Sequence, residues 1–263
     1  MTENQDDKWF LARIEDLIEE ADKGGYVTFS DFLDDHKQSL LTHSVGRLSI
    51  CKETFGGFQE AARKIAAFCP DFYLKEDPDY LKNQFTEALR FLRIEPVDRR
   101  FLKKIPEHRD YLGAILGTGI KREKIGDLLL DESGCVAIVK AEIADYLMSE
   151  LTSVGAAIVH VTKVTAEALP AAERGVEMTI SVSSLRIDSL VSHGFQMGRE
   201  SAQKMIRQGL VSRNGAVVVN GDRLAQEGDK LTLRGKGRIL IREDLGISKS
   251  GRHRVLIEKF VKK

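Results

Sequence analysis

The residues from 184 to 237 constrain the fold more than any other stretch of this 263-residue chain. They predict a short apolar helix over Leu185–Val191 and a second helix over Arg199–Gln208, because apolar side chains recur there at helical spacing. Strand-like segments follow at 217–219 and 230–234, with Gly, Asn and Asp turn residues between and beside them. The sequence therefore predicts two helices that precede a small sheet.

The second helix has two faces. Ala202, Met205 and Ile206 predict a buried stripe, and Gly209 supplies the left-handed residue that ends many helices. Basic and amide side chains occupy the rest of its surface. Fixed cations on a rigid face position a protein on a nucleic-acid backbone, and the arginine fork grips phosphate well. The candidate RNA-binding residues of this stretch are Arg186, Arg199, Lys204, Arg207, Gln208, Ser212, Arg213 and Asn214.

The alternative to RNA binding is that these side chains lie on a solvated surface and bind no ligand. Arg186 also has a specific one, since it could pair internally with Asp188 two residues later. Asp188 itself is expected to be structural.

This stretch resembles the RNA-binding module of the small-subunit ribosomal protein S-four, the alpha-L motif. The matching residues are Arg186-x-Asp188, Gly198-Arg199-x-Ser201-Ala202, Ile206-x-x-Gly209-x-Val211, Asn214 and Gly228-Asp229. The resemblance implies that structured RNA is the ligand and is recognised mainly by its shape. Arg213 departs from the pattern, because the module usually has an apolar strand residue there. A shorter or shifted strand is therefore expected.

Charge is unevenly distributed, although the whole chain carries 40 Lys and Arg and 40 Asp and Glu. Residues 1–80 have 9 basic and 17 acidic side chains, net −8, and residues 81–180 have 14 and 15. Residues 181–263 have 17 and 8, net +9. A basic C-terminal third is the electrostatic footprint of a nucleic-acid binder. The acidic first third is better placed to face a protein partner.

Composition also excludes several classes of protein. The chain has no run of about 18 apolar residues, so no membrane span is expected, and its acidic N-terminus does not resemble a signal peptide. Cys51, Cys69 and Cys135 are too far apart for a disulfide framework or a zinc site, and the six His show no metal-ligand spacing. We therefore expect a cytoplasmic protein with no metal and no cofactor.

Residues 1–80 are predicted to form an acidic N-terminal α+β domain. We expect an amphipathic helix over 8–21, a short helix capped by Ser30, a strand at Leu48–Cys51 and a helix over Gln59–Phe68.

Residues 81–175 predict the order strand, helix, strand, strand, helix, strand. The strands are expected at 88–94, 125–130, 135–139 and 157–161, and the helices at 108–116 and 142–151. This order is typical of the ferredoxin-like, or split β-α-β, fold that RRM-like domains share. The predicted fold class is therefore α+β in three units, namely the N-terminal domain 1–80, the ferredoxin-like middle domain 81–175 and the alpha-L RNA-binding domain 181–263.

The chain resembles the YlmH family over nearly its whole length. The resemblance rests on Phe55-Gly56-Gly57, Ala62-Arg63-Lys64, Pro70-Asp71-Phe72, the segment 108–114, Gly119-Ile120-Lys121-Arg122 and Gly126-Asp127, ahead of the RNA-binding module. It implies a bacterial protein of the cytoplasm. It further implies links to the large ribosomal subunit, to the handling of stalled nascent chains and to cell division.

A second basic zone in the middle domain is a candidate contact with RNA or the ribosome. Its alternative is a soluble strand edge guarded by charges. The candidate residues of this zone are Arg99, Arg100, Lys103, Lys104, Arg109, Lys121 and Arg122. The tract from Lys249 to Lys263 either extends the RNA-binding footprint or forms an edge strand at Val255–Ile257.

Two hypotheses about function follow. The leading one is a non-catalytic protein that docks through residues 184–237 on ribosomal RNA of the large subunit, with tRNA as a second candidate ligand. The rival is an RNA-modifying enzyme that uses this stretch as a targeting arm. A pseudouridine synthase needs a Gly-Arg-Leu-Asp type segment, and the similar string Leu185-Arg-Ile-Asp188 belongs to the module. A methyltransferase needs a Gly-x-Gly strand end in a doubly wound fold, which we do not find.

Overall fold

A computed structural model describes residues 5–44, 50–98, 100, 105–170, 175–248 and 251–261. The chain divides into two compact units, residues 1–172 and residues 173–263. The described residues combine helices with antiparallel sheets, which confirms the predicted α+β class.

The helices and strands have the following bounds. The helices are α1 (Gln5–Gly24), α2 (Asp35–Ser44), α3 (Asp71–Glu76), α4 (Tyr80–Ala88), α5 (His108–Gly117), α6 (Ala141–Glu150), α7 (Ile187–Gly194) and α8 (Arg199–Arg207). The strands are β1 (Thr28–Phe29), β2 (Ile50–Phe55), β3 (Ile65–Pro70), β4 (Leu89–Pro96), β5 (Ile125–Leu130), β6 (Cys135–Lys140), β7 (Ser153–Val154), β8 (Ala157–Val164), β9 (Val176–Val182), β10 (Val211–Arg213), β11 (Ala216–Val217), β12 (Lys230–Leu233), β13 (Gly237–Ile247) and β14 (His253–Val261). None of these helices is both long and apolar enough to cross a bilayer.

The amphipathic helix predicted over residues 8–21 is confirmed as α1. Ile14, Leu17, Ile18 and Ala21 lie on one stripe and are buried, and the helix packs on β3. Burying an aliphatic side chain of this size contributes about 1.5–3 kcal/mol. This stripe therefore fixes α1 on the small sheet of the first unit.

The helix predicted over Gln59–Phe68 is wrong. The structure has β3 there, between β1 and β2 in a three-stranded sheet, and every residue from Ile65 to Cys69 is buried. A strand that is covered on both faces is apolar at each position, so it loses the alternation that distinguishes a strand from a buried helix. The strand predicted at Leu48–Cys51 belongs to β2, and its first two residues lie outside the described ranges.

Ser30 does not cap a helix. Helix α2 begins at Asp35, and the side chain of Asp34 accepts the hydrogen bond from the amide of Lys37 at 2.9 Å. The Ser30 hydroxyl instead accepts a hydrogen bond from the amide of Ala66 at 2.8 Å. The prediction identified a polar residue with a structural role but assigned it to the wrong element.

The order of elements predicted for the middle of the chain is the order observed. Strand β4 is followed by α5, the β5–β6 hairpin, α6 and the β7–β8 pair. These strands form one antiparallel sheet in the order β5-β6-β4-β8-β7. Tyr111 and Ile115 of α5 and Ala144 and Leu147 of α6 pack against it in one core. The sequence predicted this order of helices and strands because each helix has one apolar stripe and each strand of the hairpin ends at turn residues.

The opposite side of this sheet packs on residues of the predicted N-terminal domain. Ile138 of β6 lies in one apolar cluster with Phe32, Ile65 and Phe85. Residues on the two sides of position 80 therefore share a core, and the division into domains 1–80 and 81–175 stays a prediction.

Where the structure describes it, the second unit consists of one six-stranded antiparallel sheet and two helices. The strand order is β11-β10-β12-β13-β14-β9. Ile187 and Leu190 of α7 and Ile206 of α8 pack with Ile239 and Ile257 of the sheet. This core positions α8, whose outer face carries the basic residues of the candidate site.

Strand β14 lies between β13 and β9, so the alternative of an edge strand at Val255–Ile257 is wrong. Strand β9, Val176–Val182, was not predicted and supplies the edge instead. Residues 176–182 alternate regularly between apolar and polar side chains, which is the pattern of a half-buried strand. The signal for this strand was therefore present in the sequence and was missed.

Candidate RNA-binding site

Helix α8 is held by its inner face and by its C-terminal end. Ala202 and Ile206 are buried. At its C-terminal end, Gly209 has a φ of 69° and its amide donates to the carbonyl of Ile206 at 2.9 Å, while the amide of Leu210 donates to that of Met205 at 3.0 Å. This pair of hydrogen bonds is the Schellman motif, which satisfies carbonyls that the helix leaves free. The prediction that Gly209 ends the helix is confirmed.

Lys204, Arg207 and Gln208 lie on the exposed side of the helix end. Within the described ranges, the side chains of Lys204 and Arg207 make no hydrogen bond or ion pair with another residue. Their positive charges are therefore free to meet an external anion, which is the property that a phosphate contact requires.

Asp188 is the centre of a buried network under α8. Its side chain is 1% exposed. It accepts hydrogen bonds from Arg186 Nε at 3.2 Å, from Arg199 Nη2 at 3.1 Å and from Gln203 Nε2 at 2.9 Å. Burial opposes its ionisation, but these three donors outweigh burial and lower the pKa of Asp188 to about 2. The carboxylate is thus ionised at neutral pH and joins α7 to α8.

Two of the predicted RNA contacts, Arg186 and Arg199, belong to this network. Arg186 also pairs with Asp222, so its guanidinium is shared by two carboxylates. Arg199 keeps 52% of its side chain exposed although it pairs with Asp188. Both arginines support the site from inside, and only Arg199 also presents a large exposed surface.

A second network of side chains joins the end of β10 to the residue before β12. Arg213 Nη2 lies 2.7 Å from Asp229 Oδ2, and Asn214 Nδ2 donates to Asp229 Oδ1 at 2.8 Å. Asn214 has a φ of 48°, a left-handed conformation that Asn tolerates well, and its Oδ1 accepts from the amide of Lys230 at 2.8 Å. Arg213 and Asn214 therefore stabilise a turn, and β10 ends at Arg213.

Ser212 lies apart from the α8 residues. Its neighbour Val211 packs in the core with the helices, and Ser212 pairs with Thr232 and Val217 across the sheet. Because successive side chains of a strand point to opposite faces, Ser212 lies on the face that is turned away from the core. The structure therefore does not bring Ser212 together with Lys204 and Arg207.

A cleft runs between α8 and the turn after β11. Its volume is about 280 Å³. Its lining residues are Asp188, Gln203, Ile206, Arg207, Val219, Asn220, Gly221 and Asp222. The sequence predicted a turn at Asn220-Gly221 and placed Gln203 on the helix, but no sequence signal showed that the turn crosses over the helix.

The second basic zone is only partly described. Arg99, Lys103 and Lys104 lie outside the described residues. Arg100 is exposed and pairs with Asp98 at 2.9 Å. Arg109 is 74% exposed, with Glu107 at 3.4 Å and Asp110 at 3.9 Å. Lys121 is exposed.

Arg122 differs from its neighbours in this zone. Its Nη1 donates to the carbonyls of Ile125 at 2.6 Å and Gly126 at 3.3 Å. Burial, followed by the nearby charge of Arg63, lowers the pKa of Arg122 to about 10. Since its guanidinium is used inside the protein, Arg122 is a structural residue, and its assignment to an RNA contact is not supported.

Comparison with known proteins relates the chain to one family. A family model described as "Putative RNA-binding domain in YlmH" matches residues 89–168. The "Ribosome-associated protein quality control protein P2" of Bacillus subtilis (strain 168) is 31% identical over 236 residues, which cover 89% of this chain and 87% of that protein. These relatives are named as RNA-binding or ribosome-associated proteins, and the names support an RNA-binding role.

A solved structure extends the likeness to the fold. The "Cell division protein ylmH from Streptococcus pneumoniae" matches with a TM-score of 0.51 and 18% identity, over 65% of this chain and 98% of that one. At this identity the match shows the fold alone. The Bacillus subtilis relative is similar enough, over enough of both chains, to decide the family. This chain therefore belongs to the YlmH family, as its sequence motifs predicted.

Proposed function

We propose that this chain is a non-catalytic protein that docks on ribosomal RNA of the large subunit, with tRNA as a second ligand, through the exposed face of α8. The observation that carries the proposal is the pair of cations Lys204 and Arg207, which have no partner among the described residues and lie on a helix held by its buried face and its C-terminal end. Because the backbone of α8 is already ordered, contact with phosphates has to order only the two side chains.

The proposal includes two finer statements about fold. Residues 184–237 form an alpha-L module of the S-four type, which the order α7, α8, β10, β11, β12 supports. Residues 81–175 form a ferredoxin-like domain, which the strand order β5-β6-β4-β8 supports. Together with residues 1–80 they make the three-unit arrangement.

The relative in Bacillus subtilis is named for ribosome-associated protein quality control. We extend that role to this chain, as a cytoplasmic protein that binds the ribosome. The acidic residues 1–80 would then face a protein partner, since RNA repels them. A role in cell division is part of the same proposal and rests on the motifs of the sequence.

Filter binding of the full chain to purified bacterial large-subunit ribosomal RNA tests the proposal. Replacing Lys204 and Arg207 together by Gln removes two phosphate contacts. Affinity should fall about 10- to 30-fold near 0.1 M salt, and the slope of log affinity against log salt should decrease by about 1–2.

A matched control is the double replacement of Arg234 and Lys236 by Gln. Both side chains are exposed in the same unit, and the loss of charge is identical. This variant should change affinity less than about threefold. Equal losses in the two variants would mean that only bulk charge matters, and no loss in either would remove α8 from the interface. Calorimetry with S-adenosylmethionine checks the rival, because tight binding would indicate a methyltransferase.

A further inference from the structure

The cleft beside α8 has fixed walls. The amide of Asp188 donates to the carbonyl of Gly221 at 3.1 Å, which holds the turn against α7. A Cβ at Gly221 would lie 2.9 Å from Asp188 Cβ and 3.1 Å from Ile206 Cδ1. Only glycine lets the turn approach this closely. The backbone of one wall of the cleft is therefore set by close packing of Gly221 on Asp188 and Ile206.

Two amide side chains of the cleft have hydrogen-bonding groups left over. Gln203 uses its Nε2 on Asp188 at 2.9 Å, so its Oε1 is directed away from that carboxylate as an acceptor. Asn220 uses its Oδ1 to accept from the amide of Asp222 at 2.9 Å, which leaves its NH₂ group as a donor. Within the described residues, neither remaining group has a partner.

An acceptor beside a donor is the complement of a nucleobase edge. Every base presents donors and acceptors side by side, and proteins read unstacked bases of RNA through such contacts. A phosphate ion alone would leave the Gln203 acceptor unused. The pair of amides therefore favours a base over a simple anion.

Three of the other lining residues fit the remaining parts of a nucleotide, and the two carboxylates of the lining, Asp188 and Asp222, pair with Arg186. Val219 is an apolar side chain that is 68% exposed, and Ile206 lies beneath at 1% exposure. They offer an apolar surface to the face of a base. Arg207 also lines the cleft. Its guanidinium has no partner among the described residues, so a phosphate can reach it. A volume of about 280 Å³ lies just below the range of small-ligand pockets, which is about 300–1,000 Å³, so the cleft suits a group smaller than a drug-sized ligand, such as one base.

We propose that this cleft binds one unstacked nucleotide of the RNA, with its base between Val219 and the amides of Gln203 and Asn220 and its phosphate on Arg207. The inference rests on the proposed function, because it assumes that α8 faces RNA. It adds that the RNA site has a nucleotide turned out of its stack, which a smooth helix does not offer.

The test uses the full chain and the same ribosomal RNA. Val219→Ser and Asn220→Ser each should weaken binding about 5- to 10-fold, because they remove apolar or base-edge contacts. Neither variant removes a cation, so the salt slope should stay unchanged. Val217→Ser is the matched control, since Val217 is 63% exposed on neighbouring β11 and does not line the cleft.

The outcomes separate the two proposals. If the Lys204 and Arg207 double variant weakens binding while Val219→Ser and Asn220→Ser do not, the cleft is not a nucleotide site and the proposed function stands. If none of these variants weakens binding, both proposals fail. If the cleft variants lower the salt slope, the cleft holds phosphate only, and its assignment to a base is overturned.

Nuclear magnetic resonance supplies a direct readout. Each of the four nucleoside 5′-monophosphates is titrated into the full chain, with inorganic phosphate as the comparison. The side-chain amide signals of Gln203 and Asn220 should shift with at least one nucleotide and stay in place with phosphate. Identical shifts with phosphate, or none with any nucleotide, would contradict the proposal.

Discussion

The basic side chains of residues 89–168 and those of α8 differ in what they contact. In residues 89–168, Arg93 donates to Glu95 at 2.9 Å and to Asp131 at 2.7 Å, and Arg122 donates to two backbone carbonyls. On α8, Lys204 and Arg207 have no partner among the described residues. Equal charges in the sequence thus differ greatly in what they can offer to a ligand.

This difference shows why a count of charges is a weak guide to a binding surface. A guanidinium that already donates to a carboxylate or a carbonyl has fewer of its five N–H donors left for a phosphate. The family match covers residues 89–168, where the paired arginines lie, so RNA contacts there fall to the exposed side chains. The following predictions test this separation between supporting and contacting cations.

The largest effect is expected at Asp188, which accepts hydrogen bonds from Arg186 and from Arg199, the first residue of α8. Asp188→Asn should lower the free energy of unfolding by about 2 kcal/mol at pH 7, because a buried carboxylate that accepts several charged hydrogen bonds is lost. Asp222→Asn is the control. Its side chain is 66% exposed and also pairs with Arg186, and it should cost less than about 0.5 kcal/mol.

The lowered pKa of Asp188 also predicts that the free energy of unfolding depends on pH. Its folded pKa of about 2 lies below the ordinary value of 3.8. A lowered pKa stabilises the protein above the unfolded value, and this stabilisation is lost as the pH falls from about 5 towards 2. Urea unfolding across this range should show a smaller acid dependence in Asp188→Asn than in the natural chain. Parallel curves would mean that the Asp188 network does not stabilise the second unit.

A smaller effect is expected at Arg122. Arg122→Gln should lower the free energy of unfolding by about 1 kcal/mol, since the carbonyls of Ile125 and Gly126 lose a charged donor. Affinity for ribosomal RNA should not change, because this guanidinium faces the protein. Lys121→Gln, one residue earlier and exposed, is the control for stability. A loss of RNA affinity in Arg122→Gln at unchanged stability would return Arg122 to the contact set.

Local patterns predicted much of this architecture. The stripe that fixes α1, the hairpin of β5 and β6, and the end of α8 at Gly209 all depend on residues close together in the sequence. The pairing of Arg186 with Asp188, two residues away, was foreseen as an alternative for the same reason.

Features that depend on distant contacts were missed. Strand β3 was taken for a helix, because burial on both faces by other segments removed its alternation. The pair of Arg199 with Asp188 and the pair of Arg213 with Asp229 join residues 11 or more positions apart. No periodicity reports such pairs, so the sequence could not show that Arg199 and Arg213 also form ion pairs within the fold.

The smallest effect is expected from the exposed cations of residues 89–168. Arg109 has carboxylates at 3.4 and 3.9 Å, but it is 74% exposed, and surface ion pairs of this kind are worth about 0–1 kcal/mol. Together with Lys121, Arg109 remains available to phosphate. Replacing both by Gln should weaken binding to ribosomal RNA about 2- to 3-fold and decrease the salt slope by less than about 1.

Filter binding at several salt concentrations measures this change, with Arg122→Gln as the internal control. A loss as large as that of the Lys204 and Arg207 variant would erase the difference between the two regions and make residues 89–168 an equal part of the interface. No loss at all would restrict the RNA contacts of residues 89–168 to other side chains. If supporting and contacting cations are separate, the double variant of Arg109 and Lys121 should lose a small part of its affinity for ribosomal RNA, and the salt slope should decrease in proportion.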